Sequence, residues 1–217
     1  MTATRMPKGE ATRQRILDAA QAAILEKGFT ATSIDELIAE CGLTKGGFFY
    51  HFRDKNDLAK ALLRRYIAED EAVYDRIFGQ ARDLVDDPLQ VFLLGLRLLA
   101  EVMGDMPNGH PGCVVAVSCY YERMYDREVR EINTEAALQW RRRFRAMLDE
   151  VGTRYRPRDP VELDELADMV STVLEGGIVM AKAMNDPDTL RRQILTFRAL
   201  VQALFVPLGE PAPRPLA

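Results

Sequence analysis

The chain has 217 residues, 47% of them hydrophobic and 29% charged, the composition of an ordinary folded protein with length for one large domain or two small ones. No apolar run reaches the roughly 18 residues that span a bilayer, and the N-terminus lacks a signal-peptide core. Three cysteines argue against a disulfide framework and for a reducing compartment, so the expected location is the cytoplasm, with no membrane partner. The net charge of −4 is uneven: residues 1–60 hold nine Lys/Arg against eight Asp/Glu, and residues 61–217 hold twenty against twenty-five. So weakly basic a segment suits nucleic acid only if Arg5, Lys8, Arg13, Lys45 and Lys55 share one face while acids such as Asp18 and Glu40 point elsewhere.

In chain order the pattern is helical throughout. Ile16, Ala20, Ala23 and Ile24 recur at helical spacing, and Gly28 ends that run as a C-terminal cap. Ser33 and Glu36 form a capping box for a helix with Ile34, Leu37 and Ile38 on its apolar face, which Gly42 terminates. Thr44 then caps a short helix, and Asp54 caps a fourth that is expected to run from Lys55 to about Phe78. Asp87-Pro88 opens an apolar helix, and Met106 to Gly112 is the clearest loop. Helices are predicted over Cys113 to Met124 and Arg127 to about Tyr155, and Pro157 and Pro160 mark the next break. Two further apolar periodicities follow, Leu163 to Met184 and Leu190 to Leu204, and then a proline-rich tail from Pro207 that is expected to be disordered. The fold class is all-α, about nine helices, with no repeat and no strand.

The segment Thr44-Lys45-Gly46-Gly47-Phe48-Phe49-Tyr50-His51-Phe52 is the most informative. A glycine costs about 1 kcal/mol against alanine inside a helix, so two at the start of a short helix suggest a backbone that must approach another surface. Thr44, Lys45, Tyr50 and His51 around them are donors suited to phosphates and base edges, while Phe49 and Phe52 are expected in the core. A helix of about eight residues, a three-residue turn and another short helix match helix-turn-helix geometry.

Residues 13–58 closely resemble the DNA-binding domain of the TetR/AcrR family of bacterial transcriptional regulators. The resemblance rests on Thr12-Arg13, Ile16-Leu17, Ala19-Ala20, Gly28-Phe29, Thr32-Ser33-Ile34, Ile38-Ala39, Gly42 to Gly46, Phe49 to Phe52, Lys55 and Leu58. Gly47 and Phe48 fall where the family varies most. The resemblance implies an N-terminal three-helix helix-turn-helix domain (residues 1–54), a connecting fourth helix (55–78) and a larger ligand-binding and dimerisation domain (79–206), with 207–217 as the tail. It further implies DNA contacts from Thr32, Ser33, Thr44, Lys45, Gly46, Tyr50, His51 and Lys55, the last at a helix N-terminus where the dipole also favours phosphate. Glu175-Gly176-Gly177 and Asn185-Asp186-Pro187 resemble the last two helices, which in the family build a four-helix interface between two subunits. Leu166, Val170, Val173, Gly177, Ala181, Phe197, Val201 and Leu204 are the residues expected there.

A small-molecule effector is also implied by the resemblance. Its expected pocket draws on Phe92, Leu96, Met103, Cys113, Val117 and Tyr120, together with Tyr121, Met124, Trp140, Phe144, Val173 and Met180, a mixture of apolar, Met and aromatic side chains that suits a mostly apolar ligand. No catalytic constellation stands out: His51 and His110 are the only histidines, with no phosphate loop and no carboxylate pair. His110, Cys113 and Cys119 could be weighed as metal ligands, but positions 113 and 119 lie about 240° apart on a helix, so no metal and no cofactor is expected. Cys113, after a Pro-Gly turn, is a candidate redox thiol. The expected function is a dimeric repressor that binds duplex operator DNA and is released by an unidentified small molecule. The alternative is a helical ligand-binding protein or enzyme whose helix-turn-helix is incidental.

Overall fold

A computed structural model of the chain describes residues 7–209. Among these residues there are nine α-helices: α1 Lys8–Ala31, α2 Ile34–Glu40, α3 Lys45–His51, α4 Lys55–Leu84, α5 Pro88–Gly104, α6 Val114–Tyr120, α7 Arg127–Gly152, α8 Leu163–Ala183 and α9 Asp188–Leu204. Two three-residue strands, β1 Tyr155–Pro157 and β2 Phe205–Pro207, pair antiparallel with Arg156 opposite Val206. The helices follow the punctuation of the sequence. Ser33 and Glu36 make the reciprocal capping box, and Thr44, Asp54 and Asp87 each accept from a backbone N–H three residues on. Gly28 (φ +83°) breaks α1 one turn before its end, and Gly42 (φ +61°) turns the chain out of α2.

Four expectations about the elements need correction. The absence of strands fails at β1 and β2, since three residues are too few for an alternating pattern to register. The tail was expected from Pro207, yet pairing continues through the Leu208 N–H, which donates to the Arg154 carbonyl; residues 210–217 lie outside the described residues. Helix α4 passes Gly79 and runs to Leu84 because Ile77, Phe78 and Ala81 are buried and hold it. The helix expected from Cys113 to Met124 stops at Tyr120 and continues as a 3₁₀ turn over Glu122–Met124.

The chain packs as two compact units that do not follow chain order: residues up to Glu69 with Gly112–Ala136, and Asp70–Pro111 with Ala137 onward. These units differ from boundaries at 54 and 78, which would leave 112–136 wholly in the second part. In the first unit Ile16, Leu17, Leu37, Phe48, Phe52, Leu58, Leu62 and Leu63 form a fully buried core. The later segment joins it through polar and aromatic contacts that periodicity does not reveal. The Phe29 and Tyr125 rings lie 4.0 Å apart, the Tyr121 ring covers Gly28, and Lys60 on α4 pairs with Asp126 and Glu128, each at 2.7 Å. Arg65 ties α4 to α1 through Gln14, Asp18 and Gln21.

The second unit is built on Phe78, Phe92 and Phe144, with Tyr74 edge-on to Phe144. Helix α9 packs against both α5 and α8. The α8 contact depends on Gly177, where an added Cβ would come 2.7 Å from Leu190 Cδ1.

Candidate nucleic-acid interface

Helix α3 has two faces with different duties. Phe48 and Phe52, one turn apart, are 0% and 1% exposed and anchor it in the first unit. Lys45, Gly46, Phe49 and Tyr50 stand on the opposite side, Tyr50 with 82% of its surface exposed. Thr44 fixes the start of the helix: its hydroxyl oxygen accepts from the Gly47 N–H at 3.1 Å, which leaves the hydroxyl proton to donate outward. Ser33 has the same double capacity at the start of α2, accepting from the Glu36 N–H at 3.2 Å. The Glu36 carboxyl is held below the usual carboxylate range by its bonds from Lys27 and from the Ser33 backbone.

Gly46 has no packing reason to be glycine. Among the described residues a Cβ there would meet only Thr44 Oγ1, at 4.0 Å, so the helix itself tolerates a side chain, and a glycine leaves the backbone open to close approach from outside. Gly46→Leu is therefore expected to leave the melting temperature within a few degrees of wild type while reducing duplex binding at least tenfold; thermal melts beside gel shifts check this. His51 is half-buried, edge-on to Tyr50 at 5.0 Å.

Two expected contact residues, Thr32 and Lys55, are placed differently, and a third, Lys45, carries a partner. Thr32 is 1% exposed, and its hydroxyl donates to the Gly28 carbonyl at 3.0 Å, so it locks the end of α1 and its side chain does not reach the surface. Lys55 turns inward. Its ammonium donates to the Phe29 carbonyl and sits 4.2 Å from the centre of the Phe29 ring, and burial lowers its pKa; it caps the end of α1 rather than offering its charge to phosphate. Lys45 does project outward, but Asp35 on α2 pairs with it at 2.9 Å. The expected basic face is correspondingly reduced: Arg13 lies over the Phe52 ring at 5.2 Å, and Arg5 lies outside the described residues.

Two residues that sequence reading passed over belong to this surface. Phe49, expected in the core, is 47% exposed, and Phe48 takes the buried place. Arg53, just beyond α3, has a largely exposed guanidinium 3.6 Å from Asp57. The Arg53 backbone N–H donates to the same carboxylate and helps lower its pKa. A signal for Phe49 was present: Phe48 and Phe52 are four residues apart, so a helix that buries Phe52 buries Phe48 with it.

A family model described as bacterial regulatory proteins of the tetR family matches residues 16–62, a stretch containing α2, the turn and α3. The chain is 28% identical over 183 residues to an HTH-type transcriptional repressor of Mycobacterium tuberculosis, covering 83% of this chain and 87% of that protein. The transcriptional regulator AcuR of Cereibacter sphaeroides is 26% identical over 197 residues, 88% of this chain and 85% of that one. In three dimensions the chain resembles the crystal structure of a regulatory protein TetR from Rhodobacter sphaeroides, with a TM-score of 0.72 at 25% identity over 90% of this chain and 99% of the other. The chain belongs to the TetR family of bacterial regulatory proteins. It is a transcriptional regulator whose DNA-binding unit is the TetR-family helix-turn-helix of α2 and α3.

The residues expected to form the effector pocket of this TetR-family regulator do not gather inside either unit. In the first unit Tyr120 is 78% exposed, Tyr121 and Met124 are also exposed, Val117 is half-buried, and Cys113 caps α6, its sulfur accepting from the Ala116 N–H at 3.4 Å. In the second, Phe92, Leu96 and Phe144 are packed core, Met103 and Val173 are half-buried and Met180 is exposed. Trp140 is buried, and its indole N–H has no acceptor among the described residues.

The residues expected at a subunit interface differ in their exposure. Leu166, Val170, Gly177, Phe197 and Val201 are buried inside the protomer, while Ala181 and Leu204 are half-buried. The outward face of α8 carries Met169, Gly176, Met180 and Met184 with half-buried Val173, and that of α9 carries Leu200. Among the described residues no helix is long and apolar enough to cross a membrane.

Proposed function

We infer that the protein is a two-fold dimeric repressor that holds an operator duplex through α3 of each protomer and is released by a small, mostly apolar effector. The observation that carries this reading is the outward face of α3, rigidly mounted on buried Phe48 and Phe52 and capped by Thr44. Thr44, Ser33, Tyr50, His51 and Arg53 supply donors for phosphates and base edges, and Gly46 the close backbone approach. Two such helices meet successive major grooves only when a dimer spaces them roughly 34–36 Å apart. The exposed apolar stripe of α8 supports that assembly. The name of the Mycobacterium tuberculosis relative, a repressor, supports the direction of control.

Support for an effector comes from Trp140, a buried donor without an acceptor among the described residues, which a ligand's acceptor atom would satisfy. In this division of labour residues 1–54 read DNA, 55–78 connect, and 79–206 bind effector and dimerise, all in the cytoplasm where the operator is. A hundredfold release from the operator corresponds to about 2.7 kcal/mol of coupling between the two sites.

Gel shifts on the protein's own upstream region test the DNA part. A complex is expected whose log affinity falls with log salt by about 0.9 for each phosphate contacted; no salt-sensitive complex overturns the reading. For the effector, a thermal-shift screen of small apolar compounds repeated with operator present is expected to find one that stabilises the protein and weakens its DNA complex. If every stabilising compound leaves operator affinity unchanged, the repressor is constitutive.

A further inference from the structure

We propose that Phe49 reads thymine: its ring packs against the C5-methyl group of a thymine in the major groove of each operator half-site. The methyl contact, rather than a hydrogen-bond pattern, then sets the base at that position. This rests on the DNA-binding reading above and goes beyond it by naming the reader and the feature read.

The argument begins with what α3 can offer. It is only seven residues long, and with Phe48 and Phe52 directed inward its outer face consists of the i, i+4 pairs Lys45/Phe49 and Gly46/Tyr50. Hydrogen-bonding side chains on that face are limited to Lys45 and Tyr50. Gly46 and Gly47 carry no side chain, and the Lys45 ammonium already faces the Asp35 carboxylate. Phe49 is the one large apolar group there, and 47% of its surface is exposed. Its position is not loose, because its ring rests edge-on against buried Phe48 with centroids 5.5 Å apart.

A phenyl ring can neither donate to phosphate nor pair with a base-edge heteroatom, so the apolar feature of the major groove remains as its partner. That feature is the thymine methyl, which distinguishes T·A and A·T from both G·C pairs. Gly46, three residues before Phe49, adds no side chain to hold the helix away from the base edges, and a Cβ there would meet nothing of the protein closer than 4.0 Å. A glycine that the fold does not need and an exposed phenylalanine that the fold does not bury thus lie side by side on the DNA-facing surface.

Deoxyuridine tests this, since it pairs as thymine does and differs by the methyl group alone. The full chain is titrated by fluorescence anisotropy against its footprinted operator, with each symmetry-related pair of thymines replaced in turn. One pair is expected to weaken binding roughly fourfold per half-site, about fifteenfold in all, the equivalent of one buried methyl each. Phe49→Ala, at an exposed position, is expected to keep wild-type helix content and to bind the thymine and deoxyuridine operators equally. Phe49→Leu, which keeps an apolar contact, is expected to retain part of the discrimination. Wild-type indifference to every replacement, with the operator still bound, overturns the proposal and leaves the regulator reading standing. So does a Phe49→Ala variant that still discriminates. Failure to bind any duplex overturns both.

Discussion

Phe48→Ala is expected to destabilise the first unit by about 3–5 kcal/mol, as removal of a fully buried phenyl ring does, and to abolish DNA binding through loss of the fold around α3. Phe49→Ala, one residue along, is expected to change stability by less than about 1 kcal/mol. The contrast follows from geometry. Phe48 is 0% exposed and touches both Phe49 and Phe52, whereas much of the Phe49 ring faces outward. Urea denaturation followed by circular dichroism separates the two: a large fall in the midpoint for Phe48→Ala and a small one for Phe49→Ala. A larger loss for Phe49→Ala than for Phe48→Ala would mean that α3 is seated the other way round.

The same pair shows where sequence reading succeeds and where it stops. Helix ends were legible because capping is local: Ser33, Thr44, Asp54 and Asp87 act within three residues of themselves. Which face of a helix is buried was less legible in a helix as short as α3. Seven residues span fewer than two turns, and Phe48, Phe49 and Phe52 compete for the inward positions. Lys55 was misread for another reason. A lysine at a helix start suggests an exposed charge, but the Phe29 ring and carbonyl that receive it are 26 residues away, and no local pattern brings them together. The return of residues 112–136 to the first unit is a still longer-range event. It depends on the pairing of Lys60 with Asp126 and Glu128 and on the contact between the Tyr125 and Phe29 rings.

In α8 the apolar period is unmistakable, but it defines two stripes, one residue apart, and composition does not say which faces the protomer's own α9. Adjacent glycines decide the matter and carry opposite expectations. Gly177→Leu forces atoms into Leu190, 2.7 Å from where the new Cβ must sit, and is expected to separate α8 from α9 and lower stability by about 1–3 kcal/mol or more. At Gly176 an added Cβ meets nothing within 4 Å, so Gly176→Leu is expected to leave the protomer intact and act only on a partner that approaches the outer stripe. Met180→Glu places a charge on that same stripe, where it would be buried without a counter-ion in a dimer and solvated in a monomer. It is expected to shift the light-scattering mass at micromolar concentration from twice the 24.5 kDa chain mass to the single chain, with helix content unchanged. Because joining two half-site readers raises effective affinity by about 10²–10⁴, operator binding should fall by a factor in that range while the salt slope drops with the number of phosphates held. A wild-type chain that is monomeric at this concentration, or a Met180→Glu variant that stays dimeric and binds operator as tightly as wild type, would move the assembly surface away from the outer face of α8.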